Sequence, residues 1–126
     1  MTMRDLFLVY HEFDEPCARG LADTLAGRGL ELGRPFALRP GMRLLALIDQ
    51  GLADARYALV VVSAEFLKMH WPRKDLDGLA ARPRVVALLH GVAEDDLRDC
   101  SPRLAVAAIP GGMTEHLVRL VRSGDE

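Results

Sequence analysis

Ala58-Leu59-Val60-Val61-Val62-Ser63-Ala64-Glu65-Phe66 is the stretch on which the fold of this 126-residue chain turns. Five apolar residues run without interruption, three of them β-branched, as in a strand buried on both faces of a parallel sheet. Ser63 follows at once, and its hydroxyl is suited to cap a helix. That helix is cut by the Trp71-Pro72 pair, because proline lacks a backbone donor and disfavours helical geometry in the residue before it. It resumes through Arg73-Lys74-Asp75-Leu76-Asp77-Gly78-Leu79, with Asp75 in the new first turn.

Upstream, Leu6-Phe7-Leu8-Val9-Tyr10 is a second buried-strand run, ending at His11-Glu12-Phe13-Asp14-Glu15-Pro16. There Asp14 can cap a helix whose second position is Pro16. Ala18, Leu21, Ala22 and Leu25 recur at one face of that helix, and Gly27-Arg28-Gly29 ends it. Leu30-Glu31-Leu32 reads as a short strand. Residues 33–41 hold two prolines and two glycines and read as a loop. Leu44, Leu45, Ile48 and Leu52 form the next helical stripe. Downstream, residues 84–89 predict a fourth strand, 94–98 one or two helical turns, and 104–109 a fifth strand. Pro110-Gly111-Gly112 turns the chain, Thr114 caps a last helix with Leu117, Val118, Leu120 and Val121 inward, and 123–126 should fray.

Five strands alternating with helices predict an α/β fold, a flavodoxin-like five-stranded parallel sheet with helices on both faces. Residues 1–122 are expected to form one domain. Such sheets bind ligands beyond the carboxyl ends of their strands. That places His11 to Asp14, the loop of residues 35–42 and the segment 63–75 around one crevice.

Composition narrows the function. Hydrophobic residues make up 50% and charged residues 27%, with a net charge of -2, which describes a globular chain and gives no bulk attraction to nucleic acid or anionic membranes. No apolar run approaches the ~20 residues of a membrane span, and the start lacks a signal-peptide pattern, so a cytoplasmic protein is expected. Cys17 and Cys100 stand far apart, as expected of reduced side chains, and the four histidines show no paired spacing, so no metal site is expected. Neither phosphate-cradling glycine motif follows the first strand. The third strand ends in Ser63 and no lysine stands at 107–109, which excludes a phospho-accepting receiver site. A Gly-x-Ser-x-Gly elbow is also missing.

Five stretches in order resemble the bacterial branch of the TIR (Toll/interleukin receptor) domains. They are residues 5–10, Leu38-Arg39-Pro40-Gly41, Ile48-Asp49-Gln50-Gly51-Leu52, Val60-Val61-Val62-Ser63 with Phe66 and Trp71-Pro72, and His90-Gly91-Val92 with Ser101-Pro102-Arg103-Leu104-Ala105. The resemblance implies one of two jobs. One is cleavage of the nicotinamide-ribose bond of NAD+, releasing nicotinamide with ADP-ribose or a cyclised product. The other is self-association that passes a signal without chemistry. The catalytic members carry a glutamate in a Trp-x-x-x-Glu arrangement; here Trp71-Pro72-Arg73-Lys74-Asp75 places an aspartate there.

On this resemblance Asp75 is the candidate catalytic residue. The cleavage needs a fixed carboxylate beside the ribose, because an oxocarbenium-like transition state gains positive charge while nicotinamide leaves neutral. The competing reading of Asp75 is a favourable charge at a helix N-terminus. His11 and Phe13 stand where the family places nucleotide contacts, although with Glu12 they depart from its small or Ser-rich pattern. Phe36 and Leu38 could stack on a base or serve as an apolar grip for a neighbouring subunit. Arg39 and Arg43 could meet phosphates or lie solvated, and Trp71 could be a stacking platform or core. NAD+ is the expected substrate and no bound cofactor is expected. The expected partners are other copies of the domain, and a sensor supplied by a partner protein or by a longer parent chain. An effector role in bacterial defence, switched on by self-association, goes with the enzymatic reading.

Overall fold

The computed structural model describes residues 4–33, 35–110 and 114–123. Four strands, β1 (Arg4–His11), β2 (Phe36–Leu38), β3 (Ala55–Val62) and β4 (Val85–Leu89), form a sheet in the order β2-β1-β3-β4. All three pairings are parallel, with Val9 opposite Phe36, Phe7 opposite Ala58 and Val60 opposite Ala87. The helices are α1 (Glu15–Gly27), α2 (Leu44–Leu52), α3 (Ala64–Leu67), α4 (Arg73–Ala81), α5 (Glu94–Arg98), α6 (Pro102–Ala107) and α7 (Thr114–Ser123).

Strand alternation divides the interior into two cores. Phe7, Val9, Ala58, Val60, Val62, Ala87 and Leu89 face one side, against Leu44, Ile48 and Leu52 of α2, Phe66 of α3, Leu76 and Leu79 of α4, and Leu104 of α6. Leu6, Leu8, Leu59, Val61, Val86 and Leu88 face the other, against Leu25 of α1 and Leu117, Val118 and Val121 of α7. The doubly wound arrangement therefore follows from central strands that are apolar at every position.

Three expectations are corrected. The second strand is residues 36–38, inside the stretch read as a loop, whereas Leu32 makes only a single bridge to Leu6. Pro35 and Pro40 flank this strand without interrupting it, and at a sheet edge a proline removes no ladder bond. Secondly, residues 104–107 are helical, in α6. Ser101 caps that helix, accepting from the Leu104 amide, and Pro102 sits at its first position, so a strong start signal overrides an alanine-rich run with weak strand preference. Ile109 alone reaches the sheet, donating to Ala87 O and accepting from Leu89 N, both at 2.8 Å. Thirdly, Asp14 precedes α1 but makes no capping bond. The turn at Gly111 and Gly112, the Thr114 side chain and the tail beyond Ser123 lie outside the described residues.

Helix α4 is clamped along its length. Gly78 packs so closely on α2 that an added Cβ would stand 2.7 Å from Leu45 Cδ1. Arg82, just past its end, donates from Nε and Nη2 to the two carboxylate oxygens of Asp49, at 2.7 and 2.9 Å. The Arg82 hydrogen bonds hold the Asp49 carboxyl below its ordinary value. A lowered folded value means that the pair stabilises above the unfolded carboxylate pKa and fades as pH falls through the folded one. Asp49 is half-exposed, so the contribution at neutral pH is limited to about 1 kcal/mol. Urea midpoints of wild type and Asp49→Asn are expected to differ at pH 7 and to converge only as the pH falls below the lowered folded-state value of Asp49.

Candidate active site

The carboxyl ends of β1 and β3 adjoin at the point where strand order reverses, the usual ligand crevice of doubly wound sheets. Here they are tied together. Ser63, buried at the end of β3, accepts from the Phe66 amide at 3.1 Å, which caps α3 as expected, and donates from Oγ to Asp14. Asp14 thus forgoes its helix for a cross-sheet bond. Sequence reasoning treated both residues only as caps. Their link was visible in the pattern only through the expectation that the first and third strands are neighbours.

His11 ends β1 and is 6% exposed. Its Nδ1 accepts from the Phe13 amide at 3.1 Å, so the neutral ring carries its proton on Nε2. This bond caps the 3-10 turn Glu12–Asp14 and sets the Phe13 ring 5.1 Å from the imidazole, with 72% of Phe13 exposed. Glu12 reaches Arg39, in the loop after β2, at 3.6 Å. Phe36 stands half-exposed on the edge strand. Leu38 is fully buried opposite His11, so it supports the loop from below and presents no surface to a ring or a neighbouring subunit. Arg43 is exposed before α2, with no side-chain partner among the described residues.

The second group lies on the α2–α4–α6 side. Helix α3 stops after one turn and α4 starts at Arg73, as the Trp71-Pro72 pair predicts. Trp71 packs on Phe66 with ring centroids 6.0 Å apart, and its Nε1 is buried without a hydrogen-bond partner. Asp75 stands partly buried in the first turn of α4, where its own amide donates to Pro72 O at 2.9 Å. Among the described residues its carboxylate has neither a hydrogen-bond nor an ion-pair partner. Asp77, by contrast, accepts from the fully buried Ser101 hydroxyl and lies 3.7 Å from Arg73 Nε, which locks α4 to α6. Of the two carboxylates of α4, Asp77 holds structure together and Asp75 does not.

The structure therefore brings His11, Phe13 and the Arg39 loop into one group, while Trp71 and Asp75 stand on either side of Pro72 at the α3–α4 junction with no side-chain bond between them among the described residues. No hydrogen bond or ion pair joins that group to either of them among the described residues. Among those residues, also, no set of three His, Cys, Asp or Glu side chains is grouped as a metal site, and no helix is long and apolar enough to cross a membrane.

Comparison with known proteins gives this geometry a context. The family described as TIR domain matches residues 6–113. The chain is 37% identical over 109 residues to the "NAD(+) hydrolase PdTIR" of Paracoccus denitrificans, a match covering 80% of this chain and 36% of that protein. It is 36% identical over 108 residues to the "2' cyclic ADP-D-ribose synthase AbTIR" of Acinetobacter baumannii, covering 80% of this chain and 40% of that one. The chain thus spans well under half the length of these relatives. A metazoan TIR-STING receptor from C. gigas superimposes with a TM-score of 0.64 at 20% identity, over 94% of this chain and 40% of that one, a likeness of fold. With the family match running across most of its length, over strands, crossover helices and the Trp71–Asp75 junction, this chain belongs to the TIR domain family.

Proposed function

We propose that the chain is an NAD+ glycohydrolase domain in which Asp75 is the catalytic carboxylate. The observation that carries this is Asp75 itself, the α4 carboxylate that no structural bond consumes, four residues after Trp71 in a TIR chain. Relatives named for NAD+ hydrolysis and for cyclic ADP-ribose synthesis support the same substrate.

In this reading the bond between ribose C1′ and the nicotinamide nitrogen breaks, and its electron pair leaves with nicotinamide, cancelling the ring's positive charge. The ribose becomes oxocarbenium-like, and the Asp75 carboxylate stabilises it. Water or a hydroxyl of the substrate then adds to C1′ and releases one proton, giving a linear or a cyclic product. His11 offers its Nε2–H and Phe13 its exposed ring face to the nucleotide, with Phe36, Arg43 and Trp71 as further binding candidates. In this reading the pocket is completed when copies of the domain stack through the loop after β2. A sensor on a partner or elsewhere in a longer protein triggers that stacking, as suits an effector of bacterial defence.

Nicotinamide release from NAD+ by concentrated protein, falling off more steeply than linearly on dilution, is the expected behaviour. The second reading, an assembly module without chemistry, draws on the aspartate being one methylene short. It prevails if assembled protein releases no nicotinamide.

A further inference from the structure

The connection from α3 to α4 holds three features that meet at one place. His70 has φ 54°, the only non-glycine residue with positive φ among those described, in a region that side chains disfavour. Trp71, next to it, buries an indole N–H with no acceptor, and Trp71 Nε1 is the single side-chain atom in that condition among the described residues. Beside them opens a cavity of about 330 Å³ whose lining includes His70, Trp71, Arg73, Leu76, Asp99 and Cys100. One of its walls, Asp99, is an exposed carboxylate without a side-chain partner among the described residues. A buried donor without an acceptor, a strained backbone at its side, and an adjoining space that contains an acceptor make a second arrangement accessible. Downstream, α4 is anchored by Gly78 against Leu45 and by Asp77 on Ser101, so the freedom is confined to the residues before and within its first turn.

We propose that this junction is a two-state element, in which the Trp71 indole swings into the cavity and donates to Asp99 while His70 relaxes to negative φ. The movement changes the approach to the first turn of α4, where Asp75 stands. It makes the arrangement described here the resting one and couples self-association or NAD+ binding to the carboxylate. The coupling to catalysis rests on the glycohydrolase reading; the movement of the indole does not.

Trp71 is the only tryptophan of the chain, so its emission reports this junction alone. Emission and acrylamide quenching are measured on dilute protein, concentrated protein, and both with saturating NAD+, with nicotinamide release followed in parallel. The expected result is a shift in emission and a changed quenching constant on concentration or NAD+ addition. His70→Gly, which tolerates positive φ, and Asp99→Ala, which removes the acceptor, are each expected to raise several-fold the protein concentration needed for that shift. His70→Val, which suits positive φ poorly, is expected to show the shifted emission when dilute. Thermal melts verify that each variant is folded, and the wild-type series needs no variant. Unchanged emission and quenching in every condition while nicotinamide is released would overturn the switch and leave the glycohydrolase standing. A shift without nicotinamide release would support the switch and remove the enzyme reading.

Discussion

Asp75→Ala is expected to lower nicotinamide release by on the order of 10²–10³-fold, and Asp75→Glu to raise it above wild type. A carboxylate about 4 Å from a developing unit charge, at an effective dielectric of ~20, is worth about 4 kcal/mol, or close to three decades in rate. Removal of a single oxyanion-hole donor, an electrostatic group of comparable kind, costs a similar factor. Aspartate supplies the same charge on a shorter arm, and a misplacement of about 1 Å costs on the order of a hundredfold. Glutamate at 75 restores the reach, so a gain of tenfold or more is expected. Asp75→Asn keeps the shape, loses the charge and is expected to match Ala. Stability distinguishes this from a folding defect. Asp75 bonds to no neighbouring side chain among the described residues, so its removal costs only a helix-dipole contribution of about 0.3–1 kcal/mol. Asp77→Ala is the counterpart, with a lower melting temperature because the buried Ser101 hydroxyl loses its acceptor. Equal release by wild type, Asp75→Ala and Asp75→Asn would remove Asp75 from the chemistry.

The features legible in sequence were those that depend on one local pattern. The runs 6–10 and 58–62 are apolar at every position, which only a strand covered on both faces accommodates, and the capping role of Ser63 and the break at Trp71-Pro72 are read from neighbouring residues. Strand β2 was hidden because its flanking prolines mimic a loop, and its pairing with β1 is a long-range fact. The stretch 104–107 was ambiguous, since a short apolar run fits strand and helix alike, and Ser101-Pro102 before it was the deciding signal. Leu38 reads as surface for the same reason: a leucine between an arginine and a small residue shows no periodicity, and only its register opposite His11 buries it. Asp75 was distinguishable by family pattern, but the structural engagement of Asp49 and Asp77, which singles it out, requires helices α2 and α6 in place.

Gly51→Ala is expected to be the most destabilising glycine-to-alanine substitution among the described residues. Helix α2 crosses the sheet with Gly51 directly over the Phe7 ring, and a Cβ there would stand 2.1 Å from Phe7 Cζ and 2.4 Å from Cε2. Real atoms do not approach so closely, so either the ring or the helix must move. The ring has little room, being 4% exposed and packed in the core with Ile48 and Leu52 of the same helix. The helix is held in turn by Gly78 against Leu45 and by Asp49 on Arg82, so shifting α2 disturbs α4 as well. The higher helix propensity of alanine, worth up to about 1 kcal/mol, is therefore outweighed by overpacking of about 1–3 kcal/mol or more. At roughly 3–6 °C per kcal/mol for a domain of this size, the melting temperature is expected to fall by as much as about ten degrees. The cause is separable by a double-mutant cycle. Phe7→Leu alone leaves a small cavity and costs about 1–2 kcal/mol, but in the Gly51→Ala background it removes the clash, so the double variant is expected to be more stable than the sum of the single effects by at least about 1 kcal/mol. Strict additivity would place the cost in the helix backbone and not in the contact between Gly51 and Phe7.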